Sequence, residues 1–574
     1  MALPSSKLQE QLVKIRQEAE ERDARKKADD SGLPYLDITT TPVKVDVLRL
    51  LDEETARKAK VAVFEMKKPV IGLVVLDPKS KETNEVISNF KKQGFEVRLF
   101  ITSMRGLEHI WSFYRFATPE KSSITSRVNI EKKRVSELAE KLISIKKVSE
   151  EVNSFDFDGS SVTEFLEIIL SGALANRTSD IHFEPEEKNL KVRFRIDGVL
   201  QDVSGTLPSK HYKAITSRIK LLSNLKLNVS DRPQDGRFTI GLATKDIELR
   251  VAIAPSEFGE IIVMRVLDPD AINITLPELG FRKDDLEIIE TELKRPNGMI
   301  LNTGPTGSGK TTTLYAFLKS KHNPEIKIIT IEDPIEYHLQ GIEQTQIDEE
   351  AGYTFADGLR SIMRQDPDVI LVGEVRDKET AEIAIQAALT GHLVFSTIHA
   401  NEAAGAIPRL LDLDVKSSSI GPSLNLIIAQ RLIRRLCKEC KESVTVTEDQ
   451  ANKINNFLKT LPKRVDQSPY KKITLFKPKG CDHCGGSGFK GRVAIFELLL
   501  NDPHFEKIKN NEAQNELGSE KNLEQLIEKK SSESEIMNYA IKEQGMVTMQ
   551  QDGFLKVITG MTTFEEVEEV TGLI

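Results

Sequence analysis

The stretch that decides the fold of this chain is Gly304-Pro305-Thr306-Gly307-Ser308-Gly309-Lys310-Thr311. It reads G-x-x-x-x-G-K-T; an apolar run at 298–302 precedes it, and a helix pattern starting at Thr312 follows it. Glycines let backbone N–H groups converge on phosphate oxygens, and a helix N-terminus adds positive potential. The motif therefore predicts a nucleoside triphosphate site built from residues 304–312, in which Lys310 contacts the outer phosphates and Thr311 binds Mg²⁺.

Two later apolar runs end in acidic residues. Residues 327–331 are followed by Glu332 and Asp333, and residues 369–372 are followed by Glu374. Ligands of α/β sheets bind at the carboxyl ends of the strands, so these acids are expected beside the phosphates. We expect Glu374 to orient the attacking water and Asp368 to support the metal side, with Glu332 and Asp333 at the ligand-binding end of their strand.

Two histidines, His392 and His399, lie at the start of a third predicted strand, residues 392–396, and just after it. Either His392 or His399 alone is more often structural. Because both flank a strand next to the predicted phosphate site, the pair is interpreted as sensors of the γ-phosphate.

Composition limits the class of protein. The 574 residues carry a formal net charge of −8 and are 39% hydrophobic and 29% charged. An acidic balance disfavours a dedicated nucleic-acid binder. We find no apolar N-terminal segment and no apolar run of membrane-spanning length. The expectation is a cytoplasmic protein that reaches the membrane only through partners.

Composition shifts divide the chain into seven predicted segments. Arginines are dense in the fourth segment, where they are either salt-bridged or reach toward phosphates. The segments are a charged amphipathic helix that is mobile or docked on a partner (1–34), an α/β docking domain without a phosphate loop (35–118), a linker (119–154), the arginine-rich domain (155–270), the motor (271–436), a tetracysteine subdomain (437–494) and a helical region (495–574).

Four cysteines occur, as the pairs Cys437-x-x-Cys440 and Cys481-x-x-Cys484. Two such pairs predict a tetrahedral structural Zn²⁺ site. Redox chemistry is the alternative, and it is weaker because neither pair opens a thioredoxin-like unit.

Long stretches of the sequence resemble one family, the ATPases of type II secretion and type IV pilus assembly. The matching segments include SDIHFEP (179–185), VRFRIDGVLQDV (192–203), RPQDGRF (232–238), ITIEDPIEYH (329–338), LRSIMRQDPDVILVGEVRD (359–377) and TGHLVFSTIHANEAAGAIPRLLDL (390–413). The resemblance is close over about 155–574 and looser over 35–118.

The resemblance implies an α/β multidomain fold: a RecA-like P-loop core preceded by a PAS-like domain. It implies a homohexamer that uses ATP, Mg²⁺ and Zn²⁺ and acts on an inner-membrane platform protein at the inner face of the cytoplasmic membrane. By the same resemblance Glu332 and Asp333 lie beside the metal and Arg193 reaches the γ-phosphate. It also implies that Arg360 and Arg364 lie near the site or a subunit edge. A second arginine is expected where this chain has Lys210.

The resemblance leaves the task of the motor open. The paired cysteines separate the chain from shorter retraction motors, so pilus extension is the main reading and secretion through a pseudopilus is the alternative. A DNA-translocating motor is disfavoured by the acidic charge. A catalytically dead scaffold is disfavoured by Lys310, Glu332 and Glu374. No R-L-G-x-x-L repeat that would bind a cyclic dinucleotide occurs in 35–118.

Overall fold

The computed structural model describes residues 6–39, 41, 45–48, 50–67, 69–92, 94–114, 127–128, 132–157, 159–242, 245–501 and 522–572. These residues form two compact units, 1–125 and 126–574, which are described separately. No helix among the described residues has both the length and the apolar content needed to span a membrane.

The first unit is a small α/β domain. Its sheet has the order β1-β2-β3, with β1 antiparallel and β3 parallel to β2. Its elements are α1 (Ser6–Ser31), α2 (Val45–Leu48), α3 (Glu53–Ala59), β1 (Val61–Lys67), β2 (Val70–Val75), α4 (Lys81–Lys92), β3 (Glu96–Ile101) and α5 (Met104–Ser112).

The predicted N-terminal helix exists, but its second half is not a separate tail. Ala24 and Ala28 are buried, and Glu21 accepts a hydrogen bond of 2.6 Å from Ser103. The small alanine side chains let α1 pack closely against its own domain. The expectation of a mobile or partner-docked helix is therefore wrong for this half.

The second unit begins with the arginine-rich domain. A seven-stranded sheet of order β4-β8-β9-β10-β5-β6-β7 is antiparallel apart from the β4–β8 pair. Its elements are β4 (Arg127–Val128), α6 (Lys132–Lys141), α7 (Ile145–Asn153), α8 (Val162–Ala175), β5 (Asp180–Pro185), β6 (Asn189–Ile196), β7 (Val199–Pro208), α9 (Tyr212–Leu222), β8 (Gln234–Gly241), β9 (Asp246–Ser256) and β10 (Gly259–Leu267).

The domain starts earlier than its composition suggests. Val148 and Val152 on α7 are fully buried in one core with Phe165 of α8, and β4 pairs with β8. The polar residues around them occupy the exposed face of a short amphipathic helix. Much of the predicted linker 119–154 is therefore part of the arginine-rich domain.

The motor is built on a second seven-stranded sheet, of order β13-β12-β14-β15-β11-β16-β19, whose last strand β19 spans Phe489–Leu500. Its first six strands are parallel and β19 is antiparallel. The elements are α10 (Lys283–Leu293), β11 (Gly298–Thr303), α11 (Lys310–Lys321), β12 (Ile328–Glu332), β13 (Glu343–Gln346), α12 (Phe355–Ile362), β14 (Val369–Val372), α13 (Lys378–Leu389), β15 (Leu393–Ile398), α14 (Ala406–Asp412), α15 (Ser417–Ser423) and β16 (Leu424–Leu436). The RecA-like α/β core is thereby confirmed.

The chain leaves this sheet after β16 and returns to it as β19. The excursion contains β17 (Glu442–Val444), α16 (Glu448–Thr460) and β18 (Leu475–Lys477), and β19 spans Phe489–Leu500. Because β19 completes the motor sheet, the predicted boundary at 494/495 cuts through a strand and is wrong. The C-terminal helices are α17 (Leu523–Glu528), α18 (Glu533–Lys542), α19 (Met549–Ile558) and α20 (Phe564–Thr571), and they share the motor core.

Single-turn 3₁₀ helices occupy Ser209–His211, Pro269–Ile272, Leu276–Leu279, Met363–Gln365, Ser468–Tyr470 and Asp482–Cys484.

Candidate active site

The phosphate loop lies between β11 and α11, as predicted, and the neighbouring strand β16 fixes its shape. A Cβ atom on Gly304 would lie 2.5 Å from the carbonyl oxygen of Gln430, and one on Gly309 would lie 2.8 Å from the Gln430 Nε2. Both glycines also have positive φ angles, +148° and +91°. Glycine is therefore required at both ends of the loop for space as well as for conformation.

Gln430 is almost fully buried and joins the strand before the loop to the helix after it. Its Oε1 accepts hydrogen bonds from Asn302 Nδ2 at 3.1 Å and from Thr313 Oγ1 at 2.9 Å. A buried amide with partners on both sides holds the loop at a set width.

Lys310 opens α11 and is surrounded by polar groups of the site. Its Nζ donates to the carbonyl oxygens of Gly304 at 2.8 Å and Pro305 at 3.0 Å. Burial lowers the pKa of Lys310; Glu374 opposes the shift and Arg431 adds to it. Arg431 follows Gln430 on β16, and its Nη2 donates to the Asn401 carbonyl oxygen at 2.9 Å. The loop is therefore bordered by two cations.

Glu332 ends β12 and is buried. Its carboxylate accepts hydrogen bonds from Tyr315 at 2.5 Å, Thr330 at 2.5 Å and Gln344 at 3.1 Å. Tyr315 lies on α11, so the carboxylate joins β12 to the helix that carries Lys310. Burial raises the pKa of Tyr315, and the neighbouring Glu332 carboxylate raises it further. The contacts of Glu332 are those of a residue that holds the site together.

Glu374 follows β14 and lies between two basic side chains. Arg376 forms an ion pair with Glu374 and lies 3.7 Å from Asp333. The Nε2 atom of His399 lies 3.6 Å from the second carboxylate oxygen of Glu374. The ends of β12, β14 and β15 thus bring Asp333, Glu374 and His399 to one edge, as the parallel sheet requires.

His392 and Asp368 lie at the opposite edge of the sheet. His392 precedes β15, and its ring bonds to the Ala387 carbonyl oxygen at 3.0 Å. One strand of six residues, roughly 20 Å, separates it from His399. Asp368 precedes β14 and accepts a hydrogen bond of 2.7 Å from the Lys327 N–H. The expected sensor role of His392 and the metal-side role of Asp368 are therefore wrong within one chain.

Arg193 lies on β6 and pairs with Glu184 of the adjacent strand at 2.5 Å. Among the described residues it forms no hydrogen bond or ion pair with the phosphate loop. Arg250 does contact the motor, because its Nη2 donates to the carbonyl oxygen of Ile335, two residues after Asp333, at 2.5 Å.

The remaining predicted basic residues lie on the surface. Arg360 is exposed and pairs with Asp357 at 3.3 Å and with Glu379. Arg364 and Lys210 are exposed on the single-turn helices Met363–Gln365 and Ser209–His211.

The residues of the loop fit a nucleoside triphosphate with Mg²⁺. Ser308 Oγ is buried and has no hydrogen-bond partner in the described part of the chain. The half-buried Thr311 follows Lys310 in the first turn of α11, where N–H groups have no partner within the helix. A phosphate would meet a cation, a hydroxyl and N–H donors here.

The four cysteines are brought together as predicted, and their sulfur atoms all lie within 4.8 Å of one another. The Sγ–Sγ distances are 3.9 Å for Cys437–Cys481, 3.8 Å for Cys440–Cys484 and 3.7 Å for Cys481–Cys484. Tetrahedral zinc with Zn–S bonds of about 2.3 Å would set neighbouring sulfurs about 3.8 Å apart. Burial raises the pKa of Cys437 and raises that of Cys440 to about 12. At Cys484 the effect of burial is outweighed by the N–H groups of Cys481 and Gly488 and by the neighbouring thiols, which lower its pKa to about 7. The cluster fits a thiolate-bound metal.

The model of the type II/IV secretion system protein family matches residues 156–522. The chain belongs to this family. With its phosphate loop, it is an ATPase.

Two relatives show how far the similarity extends. The type IV pilus assembly ATPase PilB of Myxococcus xanthus is 36% identical over 538 residues, which covers 93% of this chain and 88% of the relative. The type II secretion system protein E of Pseudomonas aeruginosa is 41% identical over 415 residues, covering 72% and 76%. Among solved structures, the Legionella pneumophila ATPase DotB aligns with 71% of this chain and 95% of its own at 20% identity, with a TM-score of 0.49.

Several residues of this secretion-family ATPase site were missed by the sequence reasoning. Tyr315 and Arg376 contact the predicted residues Glu332 and Glu374, and Gln430 and Arg431 border Gly304 of the phosphate loop. Gln430 and Arg431 did carry a signal, because a polar pair interrupts the apolar strand 424–433, and a buried amide needs partners. The α11 face that Tyr315 occupies has no such mark in the sequence.

Proposed function

We propose that this protein is a cytoplasmic homohexameric ATPase that powers type IV pilus assembly through an inner-membrane platform protein. One observation carries the choice of pilus assembly. The similarity to the Myxococcus xanthus pilus assembly ATPase extends over 93% of this chain, whereas the similarity to the Pseudomonas aeruginosa secretion protein covers 72%. The N-terminal unit is thus matched better by the pilus relative.

Type II secretion through a pseudopilus is the second candidate. It is favoured by the higher identity, 41%, over the shared part of the chain. The two tasks are separated in cells: deletion of the gene should abolish surface pili and leave secreted enzymes in the medium. Accumulation of the enzymes in a strain that still makes pili would reverse the choice. Complementation with Lys310→Ala serves as the control for hydrolysis.

In the proposed cycle, ATP and Mg²⁺ bind at residues 304–312 with Asp333 beside the metal. Glu374 orients the attacking water, and His399 senses the γ-phosphate. Arg193 is delivered when the arginine-rich domain closes, and Arg360 and Arg364 lie near the site or its subunit edge. Catalysis then depends on positioning and charge stabilisation. DNA should not stimulate the purified enzyme; stimulation would favour a DNA-translocating motor.

The N-terminal unit is proposed to dock an assembly protein. A chain that starts near residue 127, where β4 begins, should retain ATP hydrolysis and fail to restore pili. Restoration of pili by this shorter chain would contradict the docking role. The motor is proposed to extend from about 271, with the metal subdomain inserted between β16 and β19.

The metal is proposed to be one structural Zn²⁺ bound by Cys437, Cys440, Cys481 and Cys484. Structural zinc supplies about 10–16 kcal/mol of apparent binding free energy, so Cys481→Ser should unfold this subdomain. Elemental analysis should find one zinc per chain, and proteolysis of the variant should cut within 441–480. Metal-free purified protein with normal protease resistance would contradict the assignment.

A further inference from the structure

We propose that Glu497 is a positioning residue, whose buried carboxylate holds the loop carrying His399 and joins this loop to the C-terminal helix α19. The inference depends on ATP hydrolysis but not on pilus assembly.

The loop of residues 399–405 needs outside support. His399 is about half exposed, at 53% for its side chain, yet its ring must stay near Glu374. Three anchors hold the loop. Thr303, the residue before the phosphate loop, both donates to and accepts from the backbone of Ala400 at 2.8 Å. Arg431 bonds to Asn401, and Glu497 bonds to Ala403.

Glu497 is the anchor of the three that lies nearest the C-terminus. It lies on β19 and is 2% exposed. One carboxylate oxygen accepts the Ala403 N–H at 2.6 Å, and the other accepts the Met549 N–H at 3.3 Å. Met549 is the first residue of α19. The same carboxylate therefore binds the catalytic loop and the start of a C-terminal helix.

The contact between Glu497 and α19 means that a movement of the C-terminal region can displace the loop that carries His399. A shift of α19 that moves the Met549 N–H must move Glu497 or break a hydrogen bond. A shift of Glu497 acts in turn on Ala403, four residues from His399. The buried alanines Ala403 and Ala404 leave the loop little freedom to move otherwise.

The charge of Glu497 matters because its anionic form satisfies both N–H donors. Burial raises the pKa of Glu497 to about 7; the Ala403 and Met549 N–H groups oppose the shift, Glu402 adds to it, and Arg431 opposes it. Glu402 faces it from the loop and Arg431 from β16, while α19 contributes the Met549 N–H. A protonated carboxyl would have one poor acceptor and one proton without a partner. The loop should therefore be held best above pH 7.

The stability of the fold should respond to pH in the opposite direction. The pKa of Glu497 in the folded protein lies above the ordinary value of 4.5. The folded state therefore binds an extra proton between about pH 4.5 and 7, so ionisation destabilises the fold as the pH rises through this window. The deprotonated group would then support turnover and reduce stability together.

The test compares ATPase profiles of wild type, Glu497→Gln and Glu402→Gln from pH 5.5 to 9. Wild-type kcat should fall below pH 7. In Glu497→Gln this acid limb, the fall in kcat below pH 7, should be absent. Its kcat at pH 8 should be roughly tenfold lower than that of the wild type, because one charged hydrogen bond is lost. Its KM for ATP should stay within about twofold of the wild-type value. Glu402→Gln should move the limb to lower pH, because a negative charge near Glu497 is removed.

A second measurement follows the thermal midpoint. Between pH 5 and pH 8 the thermal midpoint of the wild type should fall further than that of Glu497→Gln. If kcat still falls below pH 7 in Glu497→Gln as it does in the wild type, the fall belongs to another group, and the proposal is overturned. If Glu497→Gln does not fold, an unmoved limb in Glu402→Gln would overturn it equally. Inactive wild-type protein would instead contradict the ATPase assignment.

Discussion

The two seven-stranded sheets of this protein differ in how they use their charged residues. In the motor the first six strands are parallel, so their carboxyl ends meet at one edge and collect Lys310, Asp333, Glu374 and His399 there. In the arginine-rich domain neighbouring strands are mostly antiparallel, and arginines lie on strands beside acids. Arg193 pairs with Glu184, and Arg195 and Arg265 lie 3.6 Å and 3.2 Å from Asp180. The parallel sheet brings charged side chains together at one edge, whereas the antiparallel sheet distributes them along its strands.

The largest effects are expected from substitutions of Lys310 and Glu374, both at the catalytic edge of the motor sheet. Lys310→Ala should abolish ATP binding or reduce hydrolysis to background, because the loop loses its phosphate cation. Glu374→Gln should keep ATP binding and reduce kcat at least about 10³-fold, because the water-orienting charge is lost. Binding by equilibrium dialysis and turnover by phosphate release measure the two steps separately. Turnover near the wild-type rate in Glu374→Gln would refute its assignment.

The second prediction asks whether the antiparallel sheet enters the chemistry at all. If Arg193 completes the site on closure, Arg193→Ala should reduce kcat about 10³-fold or more, as for supplied arginines in other phosphoryl-transfer enzymes. Its ion pair with Glu184 is partly exposed and should contribute only about 0–1 kcal/mol, so the thermal midpoint should hardly change.

Glu184→Gln is the matched control for Arg193→Ala. It breaks the same ion pair but keeps the arginine, so kcat should stay near that of the wild type. An unchanged kcat in Arg193→Ala would leave the arginine-rich sheet with a structural role alone.

A third prediction compares the two ends of one strand. His399→Ala should reduce kcat by about 10², the lower range for a side chain that exchanges a proton or hydrogen bond with the reacting groups. His392→Ala should change kcat less than threefold, since its ring bonds to the Ala387 carbonyl oxygen at the far edge. Steady-state kinetics at saturating ATP with both variants measures this. Equal losses of kcat in the two variants would mean that His392 acts at the ATP site of a neighbouring subunit.

The smallest effect is expected at Gln430. Gln430→Leu leaves the Asn302 amide and the Thr313 hydroxyl without their buried partner, which should cost about 1–3 kcal/mol in the free energy of unfolding. Because the loop width depends on this amide, KM for ATP should rise more than kcat falls. Urea unfolding and kinetics measure the two effects. Unchanged stability with unchanged KM would show that the loop keeps its width unaided.

The sequence predicts the structure well where a short local pattern determines local geometry. The G-x-x-x-x-G-K-T spacing, the apolar strands and the two cysteine pairs each predict local geometry, and the structure confirms the α/β core and the cysteine cluster. His392 and Asp368 were misassigned because a motif does not say at which end of a strand a residue lies. Both precede their strands, so a count from the strand start would have placed them at the wrong edge for catalysis.

Other features depend on partners distant in sequence. Gln430 binds Asn302 and Thr313 across more than a hundred residues, and Glu497 reaches Ala403 and Met549. No local pattern encodes such pairs. Residues 132–154 resemble a linker in composition because α6 and α7 are short and largely polar, although Val148 and Val152 of α7 are fully buried in a core.

The excursion between β16 and β19 has a consequence for chain entropy. About fifty residues leave the sheet after Leu436 and return at Phe489, and closing a loop of that length costs about 3.5 kcal/mol by the logarithmic rule. Cys437 and Cys440 stand at the start of this loop, and Cys481 and Cys484 stand at its end. A metal ion bound by all four cysteines would hold the two ends of this loop together. The sequence between the two cysteine pairs could then lengthen or shorten without changing how β19, which carries Glu497, pairs in the sheet.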